Sequence, residues 1–134
     1  MSQNAIQVAE LTKTFKAVTA VDELSFSVPE GLIAGFIGPN GSGKSTTMRI
    51  LATLEQQDRG TAKIFDMDVR LNANRSEVRR MIGFMPDHFG LYQDMSAANF
   101  LDFFAAAYRI PPARRKSLVA ELLELVDLTG KADA

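Results

Sequence analysis

Residues 31–54 constrain this chain most strongly, because an apolar run, a glycine-rich loop and a helical pattern follow one another there without interruption. Residues 32–37 (LIAGFI) are apolar at positions that would lie on both faces of a strand, which is typical of a buried parallel strand. Glycines recur through residues 38–43, and apolar side chains recur at helical spacing through residues 44–54. The order strand, loop, helix predicts an α/β fold.

The segments around this junction predict further strands. Two stretches near the N-terminus alternate between apolar and polar side chains, as half-buried strands do, and Pro29-Glu30-Gly31 supplies a turn after them. Another strand-sized piece is stopped by Pro86, which cannot donate to a ladder. The expected strands cover residues 6–15, 21–28, 61–65 and 82–85, and a small helix is expected over 74–80. Since only two or three of these strands could lie beside residues 32–37, we expect an incomplete parallel sheet.

The last quarter of the chain has a helical pattern. A first helix is expected to begin near Ser96 and to be broken by Pro111-Pro112, and a second is expected to stop near Gly130. Their apolar stripes are Phe100, Phe103, Phe104 and Ala107 in the first helix, and Leu118, Val119, Leu122, Leu125 and Val126 in the second. We therefore expect one partial domain over residues 1–134, with a β-rich part over 1–95 and a helical part from 96–134.

The glycine-rich loop carries the chemistry. Gly38-Pro39-Asn40-Gly41-Ser42-Gly43-Lys44-Ser45 fits the pattern G-x-x-x-x-G-K followed by Ser or Thr. In such a loop, successive backbone N–H groups and the N-terminus of the following helix hold phosphate oxygens. We expect Lys44 to reach the β- and γ-phosphates, the Ser45 hydroxyl to reach Mg²⁺, and Thr46 to serve the α-phosphate side. The alternative is a glycine-rich turn that only caps a helix.

Composition excludes several other classes of protein. The 134 residues contain no cysteine, which rules out a disulfide scaffold, a Cys-ligated metal or a thiol nucleophile. The net charge of -1 gives no overall field toward nucleic acid or an anionic bilayer, so the basic cluster Arg114-Arg115-Lys116 is best interpreted as a solvated helix face. No apolar run is long enough to span a membrane and no leader pattern opens the chain, so a cytoplasmic location is expected.

Over essentially its whole length, the sequence resembles the N-terminal part of the nucleotide-binding domain of ABC transporter ATPases. It looks most similar to the ATPases of ABC-2-type and multidrug exporters. The segments that carry the resemblance are LTKTF at 11–15, AVDELSFSVPEG at 20–31, GFIGPNGSGKSTTMRILATLEQQDRGTAKIFDMDV at 35–69, IGFMPDHFGLYQDMSAANFLDFFAAAYRI at 82–110 and LLELVDLTGKADA at 122–134. The resemblance implies an α/β P-loop NTPase fold of the ABC ATPase type, present here in part as an antiparallel β portion, the P-loop strand and helix and the start of the helical subdomain. It also implies ATP and Mg²⁺ as ligands.

The resemblance also implies roles for two residues before the loop. Phe15 stands where family members carry an aromatic residue that stacks on adenine, a contact worth about 1 to 3 kcal/mol per base. Val21 stands where the family places a residue under the base. For both residues, burial in the core is the alternative role.

Asp87 departs from the family pattern. It stands where the family carries a glutamine that contacts Mg²⁺ and the attacking water. Its carboxylate could still ligate Mg²⁺ as a hard oxygen donor, but it adds negative charge beside the γ-phosphate, which puts the water-orienting role in doubt. His88 is tempting as a general base, yet the family's switch histidine comes far downstream, so a surface loop position is the favoured interpretation.

The 134 residues contain no LSGGQ-type signature, no aspartate-glutamate pair after it and no switch histidine. Without these groups the geometry of phosphoryl transfer is incomplete, so we expect nucleotide binding without significant turnover. The resemblance implies two partners, an integral-membrane transporter subunit and a second ATPase subunit, and a position on the inner face of the membrane. Two alternatives stay open: a non-transport ABC-type ATPase in translation or DNA maintenance, and a truncated nucleotide-binding remnant.

Overall fold

The computed structural model describes residues 3–87, 90 and 95–133. They form two compact units, Met1–Met85 and Pro86–Ala134. The first unit contains the strands and two helices, and the second contains helices. In chain order, the elements are β1 (Asn4–Phe15), β2 (Val18–Pro29), α1 (Lys44–Leu51), β3 (Arg59–Ile64), β4 (Met67–Asp68), α2 (Asn72–Met81), α3 (Ala97–Ala107), α4 (Pro112–Leu125) and a short 3-10 turn (Thr129–Lys131).

Within the described residues, the four strands form one antiparallel sheet in the order β2-β1-β3-β4. β1 and β2 make a hairpin through a two-residue turn, in which Lys16 takes a φ of 53° and Phe15 pairs with Val18. The two predicted strands are therefore confirmed, and both extend further than their alternating pattern indicated.

The core of the first unit lies where β1, β2 and β3 meet α1 and α2. Inward-facing side chains of the strands alternate with outward-facing ones, so Ala62 and Ile64 of β3 are buried while their neighbours are not. The buried members of this core are Val8, Leu11, Val21, Ile50, Leu51, Ala62, Ile64, Val69 and Val78. The sheet and the helix that follows the loop thus share one apolar core.

The predicted strand over residues 32–37 is wrong, because these residues form no strand and no strand in the described part of the chain pairs with them. Ile33 and Ile37 are 104% and 96% exposed. Phe36 alone finds cover, since its ring lies 5.3 Å from that of Phe26 in β2. A strand that is apolar on both faces needs paired strands beside it and layers above and below, and the described residues supply neither.

The predicted strand over residues 82–85 is also wrong, because these residues have no regular structure. Ile82 still packs against the core, although Met85 is largely exposed. α2 extends by a residue or two beyond each end of the predicted helix. α1 ends at Leu51 rather than Leu54, and Thr53 follows it with a φ of 62°.

The second unit confirms the two predicted helices. Ser96 caps α3, since its side chain accepts a hydrogen bond from the Asn99 N–H at 3.3 Å. Pro112 stands in the first turn of α4, where its missing N–H costs nothing. α3 and α4 pack together around Ala105 and Leu123. Of the predicted stripes, Phe100, Leu118, Val119 and Leu122 are half-buried, whereas Phe103, Phe104, Ala107, Leu125 and Val126 are exposed.

Candidate functional site

The loop between residues 38 and 43 depends on glycine at two positions in particular. Gly41 and Gly43 have φ values of 83° and 84°, a region that L side chains rarely adopt. A Cβ on Gly43 would also overlap the backbone carbonyl of Ala20 and come within 3.0 Å of Val21 Cγ2. The loop is therefore seated directly on the start of β2, and a larger residue at 43 would push it away.

Lys44 bends back over this loop. Its Nζ donates hydrogen bonds to the carbonyl oxygens of Gly38 at 2.7 Å and Pro39 at 2.6 Å. The loop is closed from within by a further bond, from the Ser42 N–H to the Pro39 carbonyl at 3.2 Å. The ammonium group thus stands beside the loop backbone as a positive charge, in a position to meet an anion that the loop holds.

The N-terminus of α1 faces the same loop. Gly43 is the N-cap and offers no side chain to the first turn. The Thr47 N–H and hydroxyl both donate to the Gly43 carbonyl at 2.9 Å, which fixes the start of the helix. Residues 44–47 include no acidic side chain, so nothing in the first turn neutralises the positive end of the helix dipole. The Ser45 side chain is exposed and that of Thr46 is half-buried.

Phe15 and Val21 lie in the same unit as the loop but in different environments. Phe15 ends β1 and is 44% exposed, so its ring is available for stacking. Val21 is buried in the core and touches the loop through Gly43. The stacking role of Phe15 and the base contact of Val21 stay predictions.

Asp87 belongs to the second compact unit, where it is exposed in a bend after Pro86. Its role toward Mg²⁺ stays a prediction, and His88 lies outside the described residues. Among the residues that the structure describes, no three His, Asp or Glu side chains gather in a way that could hold a metal ion. A hydroxyl such as that of Ser45 fits Mg²⁺ that arrives with phosphate groups, because Mg²⁺ usually takes few protein ligands and several phosphate or water oxygens.

A charged cluster at the end of β1 was not expected from the sequence. Lys13 Nζ lies 3.1 Å from Glu55 Oε1 and 3.5 Å from Asp58 Oδ1, and 4.9 Å from the centroid of the Phe15 ring. Lys13 and Phe15 are two residues apart on a strand and so share a face, which the sequence could have suggested. No sequence pattern indicates that Lys13 pairs with Glu55 and Asp58, which follow α1.

The pKa values of this cluster reflect its contacts. Partial burial lowers the pKa of Lys13, but its hydrogen bond to Glu55 and the charges of Glu55 and Asp58 outweigh burial and raise it above its ordinary 10.5. The hydrogen bond from the Gln56 N–H is the largest cause of a lowered pKa at Glu55, and the hydrogen bond from Lys13 adds to it. The Thr14 N–H, which donates to Asp58 at 2.7 Å, is the largest cause of a lowered pKa at Asp58, and Lys13 adds to it. All three groups are therefore held in their charged forms at neutral pH.

A glycine-rich loop that contacts a sheet and is followed by a helix whose N-terminus no acidic side chain neutralises is typical of nucleotide-binding proteins. The family model described as ABC transporter matches residues 21–134, and the chain belongs to this family. In the described residues, no helix is both long and apolar enough to cross a membrane.

Curated relatives agree with this assignment. The chain is 34% identical over 128 residues to the sulfate/thiosulfate import ATP-binding protein CysA of Thermosynechococcus vestitus. The matched region covers 96% of this chain and 37% of that relative. It is 37% identical over 120 residues to the daunorubicin/doxorubicin resistance ATP-binding protein DrrA of Streptomyces peucetius. That matched region covers 90% of this chain and 36% of the relative. The chain therefore spans about a third of the length of these relatives.

A solved structure gives the same result for the fold. The structure described as an ATP-binding subunit of an ABC transporter matches 97% of this chain and 53% of its own, with a TM-score of 0.76 and 25% identity. The predicted fold class, a partial α/β P-loop NTPase of the ABC ATPase type, is confirmed by this match and by the family model.

Proposed function

We propose that this chain binds Mg-ATP through residues 38–46, as the nucleotide-binding part of an ABC transporter. The observation that carries the proposal is the position of the Lys44 ammonium, 2.6 to 2.7 Å from two carbonyls of a loop in which Gly41 and Gly43 take positive φ values that L side chains rarely adopt. A cation beside a curled backbone and a helix N-terminus suits a polyphosphate chain.

Each residue of the loop has a proposed part in this site. Backbone N–H groups within residues 38–43 hold the phosphates, Pro39 excepted because it has no N–H, and Lys44 turns from the loop carbonyls to the β- and γ-phosphate oxygens. Bound Mg²⁺ would neutralise phosphate charge, with the Ser45 hydroxyl as its ligand in the loop. The role of Asp87 as an oxygen donor to Mg²⁺ is proposed on the sequence resemblance alone. Thr46 serves the α-phosphate side, and Phe15 and Val21 contact the base.

The partners we propose are an integral-membrane transporter subunit and a second ATPase subunit, which place the chain at the inner face of the membrane. The name of one relative, an import ATP-binding protein, supports a transport role. The other is named a resistance ATP-binding protein. Hydrolysis needs a positioned water and an opposing signature segment, so we propose binding without significant turnover by this chain alone.

Isothermal titration calorimetry of the chain with Mg-ATP tests the site. We expect Lys44→Ala to abolish measurable binding, because the charge that faces the β- and γ-phosphates is lost, while circular dichroism stays unchanged. Lys116→Ala is the matched control, since it removes an exposed lysine of α4 in the other unit. Equal affinity of the Lys44→Ala and Lys116→Ala variants would contradict the proposal.

A further inference from the structure

Lys13 contacts the Phe15 ring. Its ammonium lies over the ring at 4.9 Å from the centroid, within the distance at which a cation is attracted to an aromatic face. The Lys13 side chain is only 12% exposed, whereas Phe15 stays 44% exposed. One side of the ring is thus held by a fixed charge, and part of the ring remains open to solvent.

The ammonium itself is fixed by two carboxylates. It lies 3.1 Å from Glu55 Oε1 and 3.5 Å from Asp58 Oδ1. Both carboxylates are in turn held by backbone N–H groups, Glu55 by Gln56 at 3.0 Å and Asp58 by Thr14 at 2.7 Å. A lysine held from two sides loses the freedom that an exposed lysine has, so its contact with the ring is a constrained one.

The two carboxylates belong to the segment that leaves the end of α1. The Leu54 and Glu55 N–H groups both donate to the Arg49 carbonyl, at 2.9 and 3.2 Å, which ties this segment to the helix. The Asp58 N–H donates to the Thr12 carbonyl at 2.9 Å, which ties it to β1. Because α1 begins at the glycine-rich loop, a continuous set of contacts runs from the loop, through α1 and the two carboxylates, to Lys13 and Phe15.

We propose that Lys13 is a positioning residue for the nucleotide base: held by Glu55 and Asp58, it restrains the Phe15 ring on one side, and the base stacks on the other. This inference rests on the proposed function, since it assumes that nucleotide binds at the loop. It assigns to Lys13 an effect on the base alone, which separates it from the phosphate contacts of Lys44.

The test compares Mg-ATP with Mg-tripolyphosphate, which carries the phosphate chain and no base, by calorimetry or by competition. We expect Lys13→Met to weaken Mg-ATP binding about 2- to 5-fold, the size of an exposed cation-aromatic contact, and to leave Mg-tripolyphosphate binding unchanged. Lys13→Arg keeps a cation that stacks on aromatic rings and should restore Mg-ATP affinity to within about 2-fold. Lys116→Met is the matched control and should change neither ligand.

Glu55→Gln gives a second measurement if Lys13→Met folds poorly, because it removes one anchor of the ammonium and keeps the lysine. Glu55→Gln should weaken Mg-ATP binding relative to Mg-tripolyphosphate binding by about 2-fold. A loss shared equally by both ligands indicates a structural role for Lys13 and overturns this inference alone, as does no loss at all. If the unaltered chain does not bind Mg-tripolyphosphate, the proposed function fails at the loop and this inference fails with it.

Discussion

The β1–β2 hairpin and residues 32–37 adjoin in sequence, yet only the hairpin is paired. β1 pairs with β2 on one side and with β3 on the other, and its Leu11 is fully buried. Residues 32–37 have no strand beside them in the described chain, and Ile33 and Ile37 point into solvent. Residues 32–37 are the more apolar of the two stretches and yet form no strand, so hydrophobicity alone does not decide which one becomes a strand.

The kind of pairing that each stretch needs accounts for the difference. An alternating strand buries one face, and a two-residue turn brings its antiparallel neighbour alongside at once. A strand that is apolar on both faces is typical of a parallel sheet, in which neighbours arrive only through long crossover connections and helices cover both sides. The two strands of the hairpin therefore pair with each other directly, whereas a strand over residues 32–37 would need partner strands from elsewhere in the sequence.

Truncation of a leucine in each region gives the largest expected effect. Leu11→Ala removes a fully buried side chain from the core and should lower the free energy of unfolding by about 3 to 4 kcal/mol. Leu32→Ala is the same change at a residue that is 64% exposed, and it should cost no more than about 0.5 kcal/mol. Urea denaturation followed by circular dichroism measures both. Similar losses would mean that residues 32–37 are packed after all.

How far the sequence predicts the fold follows from the same comparison. Alternation located β1 and β2, because each pairs with its neighbour in sequence through a two-residue turn. The glycines and Lys44 located the loop and the start of α1, because backbone conformation and charge are local properties. Periodicity failed for residues 32–37 and 82–85, since it reports what a side chain prefers and not whether a partner strand is present.

The candidate site likewise contains a part that is local in sequence and a part that joins distant segments. Loop residues 38–46 form a recognisable motif, and their geometry supports the interpretation. The contact of Lys13 with Glu55 and Asp58 joins a strand to a segment far along the chain, and no short motif encodes such a pairing. Asp87 is a third case, because the resemblance to the family pattern singles it out while its proposed role depends on a bound metal.

A pair of glycine substitutions tests the contact between β2 of the hairpin and the loop that follows residues 32–37. Gly43 and Gly41 both have positive φ values, but only a Cβ on Gly43 would overlap β2, while one on Gly41 would have nothing within 4 Å. Gly43→Ala should lower the free energy of unfolding by about 2 to 3 kcal/mol, and Gly41→Ala by about 1 kcal/mol. Thermal denaturation compares them. If Gly41→Ala costs as much as Gly43→Ala, contact with β2 does not hold the loop in place.

The smallest effect on stability, and the sharpest view of residues 32–37, comes from Ile33→Ser. Ile33 is fully exposed, so the substitution should change the free energy of unfolding by less than about 0.5 kcal/mol in urea denaturation. It should nevertheless reduce fluorescence of a dye that binds exposed apolar surface, because a fully exposed apolar side chain is lost. Val18→Ser, at a 67% exposed position in the paired hairpin, is the matched control and should reduce dye fluorescence less. Equal reductions would show that exposed apolar side chains bind the dye independently of strand pairing, and the contrast between the two regions would then be one of hydrogen bonding alone.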